Sequence, residues 1–240
     1  MQILRRGGFL TESRGRDTYM KLAVNALIKY LAGVILVGAL LFLPAGSFGY
    51  MNGWLFIGLL FGPMLILGII LLIRSPDLLR KRLAANEKDN TQKRVVAASG
   101  LLFVAGFAVA GLDFRFGWSR VPLWVVVVAS AVLLISYGLY AEVMRENAYL
   151  SRTIEVQKDQ KVIKNGLYSV VRHPMYAVTL WLFLAIPLVL GSFWALLCFV
   201  PYIAVIAVRI RGEEKLLDAE LEGYTEYKKQ VKYRLLPFIW

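Results

Sequence analysis

The chain has 240 residues, 58% of them hydrophobic, and carries 28 Lys and Arg against 16 Asp and Glu, a formal net charge of +12. A mean hydropathy of +0.60 beside that charge excludes a soluble domain and describes a polytopic membrane protein with basic segments outside the bilayer. Such segments set topology and meet anionic lipid head groups, so no nucleic-acid partner is expected; one His and one Cys exclude an internal disulfide, and no metal centre is expected either.

Residues 1–21 are polar and basic, with Arg5, Arg6, Arg14, Arg16 and Lys21, and lack the short apolar run and small-residue cleavage site of a signal peptide. They read as a cytoplasmic N-terminal tail. Residues 22–43, apolar but for Asn25 and Lys29, are long enough to cross about 30 Å of hydrocarbon as a helix. An uncharged turn over 44–52 leads to a second span over 53–73, where Gly58, Gly62 and Gly68 predict close helix contacts. The charged loop 74–94 follows. Within it, Ser75-Pro76-Asp77 predicts the start of a short interfacial helix, because proline fits the first helical position.

A third span, roughly 95–112, ends in the aromatic turn 113–120; Trp118 there and Trp124 beyond it suit the interfacial belt. The fourth span covers about 122–140, and its helix is expected to continue out of the bilayer to Glu146. A long polar segment, 147–175, precedes two apolar runs, 176–190 and 193–208, joined by Gly191-Ser192 alone. So short a connection predicts an antiparallel helical hairpin. Beyond it, Leu217, Leu221, Tyr224 and Val231 form an apolar stripe opposite charge, the pattern of a helix lying against the membrane interface, with Gly223 dividing it.

Basic residues orient these spans. With the N-terminus inside, the tail, the loop 74–94, the segment 147–175 and the C-terminus share one side, and the other side receives only Arg115 and Arg120. The expected fold is therefore all-α: a polytopic membrane helix bundle of about six transmembrane helices, both termini cytoplasmic, with a C-terminal helical hairpin and interfacial helix. Three regions are expected: the tail 1–21, a four-span membrane region 22–146, and a catalytic region 147–240.

The last hairpin is bracketed by two polar clusters, and an antiparallel return brings them together at the cytosolic mouth. They contain Tyr168, Arg172, His173 and Tyr176 on one side and Arg209, Arg211, Glu213 and Glu214 on the other, with Gly166 permitting close backbone approach.

Here the sequence resembles a known family. Gly166-x-Tyr168-x-x-x-Arg172-His173-Pro174-x-Tyr176, an apolar hairpin, Arg209-x-Arg211-x-Glu213-Glu214 and Tyr224-x-x-Tyr227 before Pro237 are similar to the isoprenylcysteine carboxyl methyltransferase and phospholipid N-methyltransferase superfamily. The resemblance implies S-adenosyl-L-methionine as methyl donor, held by Gly166, Tyr168, Arg172, His173, Pro174, Tyr176 and Glu213. It implies a lipophilic acceptor taken from the bilayer, with Arg209 orienting an anionic group and Glu214 fixing that arginine or accepting a proton. Isoprenylcysteine carboxyl methylation is the leading expectation; phospholipid N-methylation and thiol S-methylation stand beside it. A non-catalytic scaffold or transporter binding lipid head groups is the alternative of another class. Tyr224 and Tyr227 are read as interfacial packing, outside the site.

Overall fold

The computed structural model describes residues 3–84, 90–151 and 153–240, with side chains from Tyr19 onward; Glu87, Lys88 and Asp89 of the charged loop lie outside the described residues. All regular structure among the described residues is helical: α1 (Ile3–Ala45), α2 (Met51–Arg74), α3 (Pro76–Leu83), α4 (Asn90–Phe116), α5 (Leu123–Glu146), α6 (Pro174–Val189), α7 (Phe193–Phe199), α8 (Tyr202–Glu220) and α9 (Tyr224–Gln230), with a 3-10 turn at Gly166–Ser169. Hydrocarbon offers backbone amides no partner, so an apolar run that crosses it closes its hydrogen bonds within itself. Five helical stretches, Tyr19–Ala45, Met51–Arg74, Asn90–Phe116, Leu123–Glu146 and Phe193–Glu220, are long and apolar enough to cross. The sixth, α6, has 16 residues and reaches about 24 Å, the shortest of the set.

The expected elements are present, with differences at their edges. Helix α1 runs unbroken from Ile3, so the polar segment before residue 22 continues the first membrane helix. Pro76 begins α3 as its first residue, with Asp77 in the first turn. The hairpin turn is made by Gly191 in the left-handed region (φ +75°), and Ser192 caps α7 by accepting the Ala195 amide. Its returning arm is not one helix: Val200 and Pro201 separate α7 from α8. Gly223, also left-handed (φ +81°), divides α8 from α9 as expected.

Close helix packing falls on different glycines from those the sequence suggested. Among the described residues, a Cβ at Gly58, Gly62 or Gly68 would meet nothing within 4 Å, so these glycines form no packing seam with them. The tight approaches are on α4, where Gly106 lies under the Phe199 ring and Gly111 against the backbone of Leu41. The main core joins α1, α2, α4, α5, α6 and α7 through Leu41, Phe56, Leu133, Ile186, Val189 and Phe199, all essentially unexposed. Ile35, Leu43, Ile66, Leu101 and Ile135 stand exposed on the outside. Water would penalise that outer surface, and lipid accommodates it.

Polar contacts pin each end of the bundle. At one end, Tyr50 donates to the Leu190 carbonyl, Asn52 to that of Val189, and Ser192 to Asp113. At the other, Lys29 reaches the Leu83 carbonyl and Lys81 that of Ala148. The segment 147–173 and everything after α8 lie at this second end. The C-terminal stripe is covered by protein: Leu217, Leu221, Tyr224, Tyr227 and Val231 form a buried cluster with Val156 and Val162 of that segment.

Candidate active site

The site is built where α6 begins. His173 is the N-cap and Pro174 the first residue of α6, so the polar segment 147–173 gives way to helix there. Just upstream, Gly166 takes a left-handed conformation (φ +59°), and a Cβ on it would run into the Glu146 carboxylate. Both Glu146 oxygens accept from the Leu167 amide, at 3.1 and 3.0 Å. The close approach that Gly166 permits is therefore to the end of α5. It fixes the 3-10 turn that carries Tyr168, whose hydroxyl accepts from Asn147 at 2.9 Å and whose carbonyl accepts from the Tyr227 hydroxyl at 2.7 Å.

Behind the cleft sits a clamp centred on Glu214. One carboxylate oxygen accepts from Arg172 Nε at 2.8 Å and lies 3.2 Å from His173 Nε2; the other accepts from Arg234 Nε at 2.8 Å. Arg172 also donates through Nη1 to the Val231 and Lys232 carbonyls, both at 2.9 Å, and the Arg172 and His173 amides donate to the carbonyls of Tyr233 and Arg234. The segment after α9 is thus tied to the start of α6. A buried carboxylate needs this many donors to stay charged away from water.

In front of the clamp runs a second chain of bonds. The Tyr176 hydroxyl donates to Glu213 Oε2 at 2.6 Å and accepts from Arg209 Nε at 3.1 Å; Arg209 Nη1 donates to Gln92 Oε1 at 3.4 Å. Gln92 comes from the first turn of α4 and is 3% exposed. Its amide lies against Gly212, where a Cβ would collide with it.

Both chains of bonds border a cleft of about 840 Å³, part of it continuous with solvent. Of the residues expected in the site, Tyr168, Arg172, His173, Tyr176, Arg209 and Glu213 line it. Gly166, Pro174 and Glu214 do not: the first two shape the backbone, and Glu214 is enclosed. Glu214 was expected to fix Arg209 or take a proton; it fixes Arg172 and Arg234 instead, and Arg209 is held by Tyr176 and Gln92. The other walls include apolar Leu150, Ile163, Met175, Leu216 and Leu217, polar and charged side chains of the preceding segment such as Thr153, Glu155 and Lys161, and Tyr224 and Tyr227. In the sequence, tyrosines on an amphipathic stripe look the same whether they face lipid or a cavity, so the pattern does not distinguish the last two from interfacial packing. Burial raises the phenols of Tyr168 and Tyr224 well above their ordinary range and pushes that of Tyr227 up to about 12. All three are neutral hydroxyls at physiological pH.

Residues 124–222 match the family model described as phospholipid methyltransferase. A stretch of 96 residues is 32% identical to the uncharacterized protein YpbQ of Bacillus subtilis (strain 168), covering 40% of this chain and 57% of that relative, little more than half its length. The whole chain superposes on 88% of the eukaryotic intramembrane Ras methyltransferase ICMT (isoprenylcysteine carboxyl methyltransferase), with a TM-score of 0.53 at 15% identity, a likeness of fold. The resemblance carried by the motifs thus holds as a family match over 124–222 and as a shared fold throughout, and the protein is a multi-pass integral membrane protein.

Proposed function

We propose that this protein transfers a methyl group from S-adenosylmethionine to a lipophilic acceptor at the cytosolic face of a membrane, with a carboxylate as the favoured acceptor. The observation that carries this reading is the convergence, on one cleft at the end of the apolar hairpin, of cationic and anionic groups that are each held in place: Arg172 and His173 by Glu214, and Arg209 and Glu213 by Tyr176. When bound, S-adenosylmethionine supplies an electrophilic methyl group on a sulfonium cation, together with a carboxylate, an ammonium and ribose hydroxyls. Arg172, His173 and Tyr168 suit the carboxylate, and Glu213 suits the ammonium or a ribose hydroxyl. The apolar side chains of Ile163, Leu216 and Leu217 suit the rest of the molecule.

Arg209 projects from α8, the helix that comes out of the bilayer, and would orient an anionic acceptor head group while its tail stays in lipid. Such transfer depends on alignment more than on proton movement. Where a bound acceptor displaces water from the cleft, the attraction between Arg209 and an anion is strengthened. Gly166, Pro174 and Glu214 act as positioning residues. The match to phospholipid methyltransferases favours a second reading, an amine acceptor, which would need a base; with Glu214 enclosed by its own donors, Glu213 is the carboxylate placed for that task. The cytosolic assignment rests on the basic bias of the end that bears the site.

Detergent-purified protein incubated with methyl-labelled S-adenosylmethionine and native lipid extract tests the proposal. A base-labile labelled lipid supports carboxyl methylation, and a base-stable one supports N-methylation. Absence of both binding and labelling at saturating donor returns the chain to a scaffold of lipid head-group contacts.

A further inference from the structure

Among the described residues, the Tyr224 hydroxyl is the buried side-chain polar atom left with no hydrogen-bond partner. The residue is 3% exposed and lines the cleft. Its neighbour one helical turn on, Tyr227, is equally buried, with ring centroids 5.8 Å apart, but spends its hydroxyl on the Tyr168 carbonyl. A hydroxyl buried without a partner destabilises the fold relative to a phenylalanine at the same place. Packing alone therefore gives no reason for an oxygen on Tyr224.

The charges acting most on Tyr224 are Glu214, then Glu213 and Arg172, all members of the clamp and of the chain of bonds in front of it. Burial, and after it the two carboxylates, keep the phenol protonated, so the hydroxyl held in this cleft wall is a hydrogen-bond donor. This wall is also the one whose paired cations and anions suit a zwitterion.

Resting on the methyl-donor reading above, we propose that Tyr224 is a ligand-binding residue whose hydroxyl, unpartnered in the cleft wall beside Arg172 and Glu213, donates a hydrogen bond to the amino-acid end of S-adenosylmethionine. It acts in binding and makes no bond in the empty protein. That combination separates it from its structural neighbour Tyr227.

The test compares Tyr224→Phe and Tyr227→Phe with the wild-type full chain in detergent, measuring the unliganded melting temperature and equilibrium binding of S-adenosylmethionine and of 5′-methylthioadenosine, which lacks the amino-acid end. Tyr224→Phe is expected to melt at or above the wild-type temperature, to bind S-adenosylmethionine about five- to tenfold more weakly, and to bind methylthioadenosine unchanged. Tyr227→Phe is expected to melt lower, because it abandons the Tyr168 carbonyl. Unchanged S-adenosylmethionine affinity in Tyr224→Phe overturns the proposal while leaving the methyl-donor reading intact. So does equal weakening of both ligands, or a loss of melting temperature matching that of Tyr227→Phe. A wild-type protein that binds neither ligand overturns the methyl-donor reading and this one with it.

Discussion

Arg172 and Glu214 form a buried ion pair: Nε of the arginine lies 2.8 Å from one carboxylate oxygen, and the two side chains are 7% and 5% exposed. They come from opposite arms of the last hairpin, so the pair closes the site and joins its two halves. Glu214→Ala leaves Arg172 and Arg234 facing an empty space at the same time, and is expected to cost about 3–5 kcal/mol of stability. The double variant Arg172→Met/Glu214→Leu is expected to lose less than the sum of its parts, since the stranded charge is then gone. Denaturation midpoints in detergent check this; a Glu214→Ala effect no larger than a surface substitution would contradict the clamp.

Tyr176 links Glu213 and Arg209 through one hydroxyl, donating to the first at 2.6 Å and accepting from the second at 3.1 Å. Tyr176→Phe keeps the ring and removes that link. Hydrogen bonds to charged groups contribute about 1.5–3 kcal/mol, so the proposed methyl transfer is expected to fall roughly tenfold to hundredfold. Steady-state kinetics with labelled donor would show the loss, and an unaltered kcat/KM would remove Tyr176 from the positioning of Arg209.

Gly166 carries the left-handed turn against Glu146. Gly166→Ala faces both a conformation that costs an L residue about 1–2 kcal/mol and the carboxylate in its path. The melting temperature is expected to drop. Adding Glu146→Ala removes the obstruction but also the acceptor of the Leu167 amide, so the double variant should recover only part of the loss. Full additivity would mean that the two residues do not meet.

Tyr227 supplies a pH prediction. Its phenol, pushed up to about 12 by burial, ionises near pH 10 once the chain unfolds. Because the folded value is the higher one, its contribution to stability is complete below about pH 10 and is lost as pH rises towards 12. Phenolate absorbance and loss of helical signal should rise together in that window. Early ionisation of the buried tyrosines with helicity intact would show that the cluster of Leu217, Leu221, Tyr224, Tyr227 and Val231 is open to solvent.

Several parts of this architecture are local and can be read along the chain. Hydropathy runs place the spans because a membrane forces each one to satisfy its own backbone, and α3 begins at Pro76 because proline lacks the donor that position does not need. Gly191 and Gly223 mark the hairpin turn and the last helix break because both adopt the left-handed backbone that glycine tolerates. The same logic failed for Gly58 and Gly62, whose spacing is a packing signal only if a partner helix lies on that face; among the described residues nothing comes within 4 Å of a Cβ at either.

By itself, then, the sequence determined the helical spans, the end of the bundle where the charged clusters gather, and the set of residue types available there. Tertiary structure alone decided who pairs with whom. Glu213 and Glu214 are adjacent in sequence, yet a helix turns successive side chains by about 100°, so one faces the cleft beside Tyr176 and the other is enclosed with Arg172, His173 and Arg234. Arg234 and Gln92 entered the site from beyond the hairpin for the same reason: their contacts are set by how distant helices and the C-terminal segment pack, which no local pattern encodes.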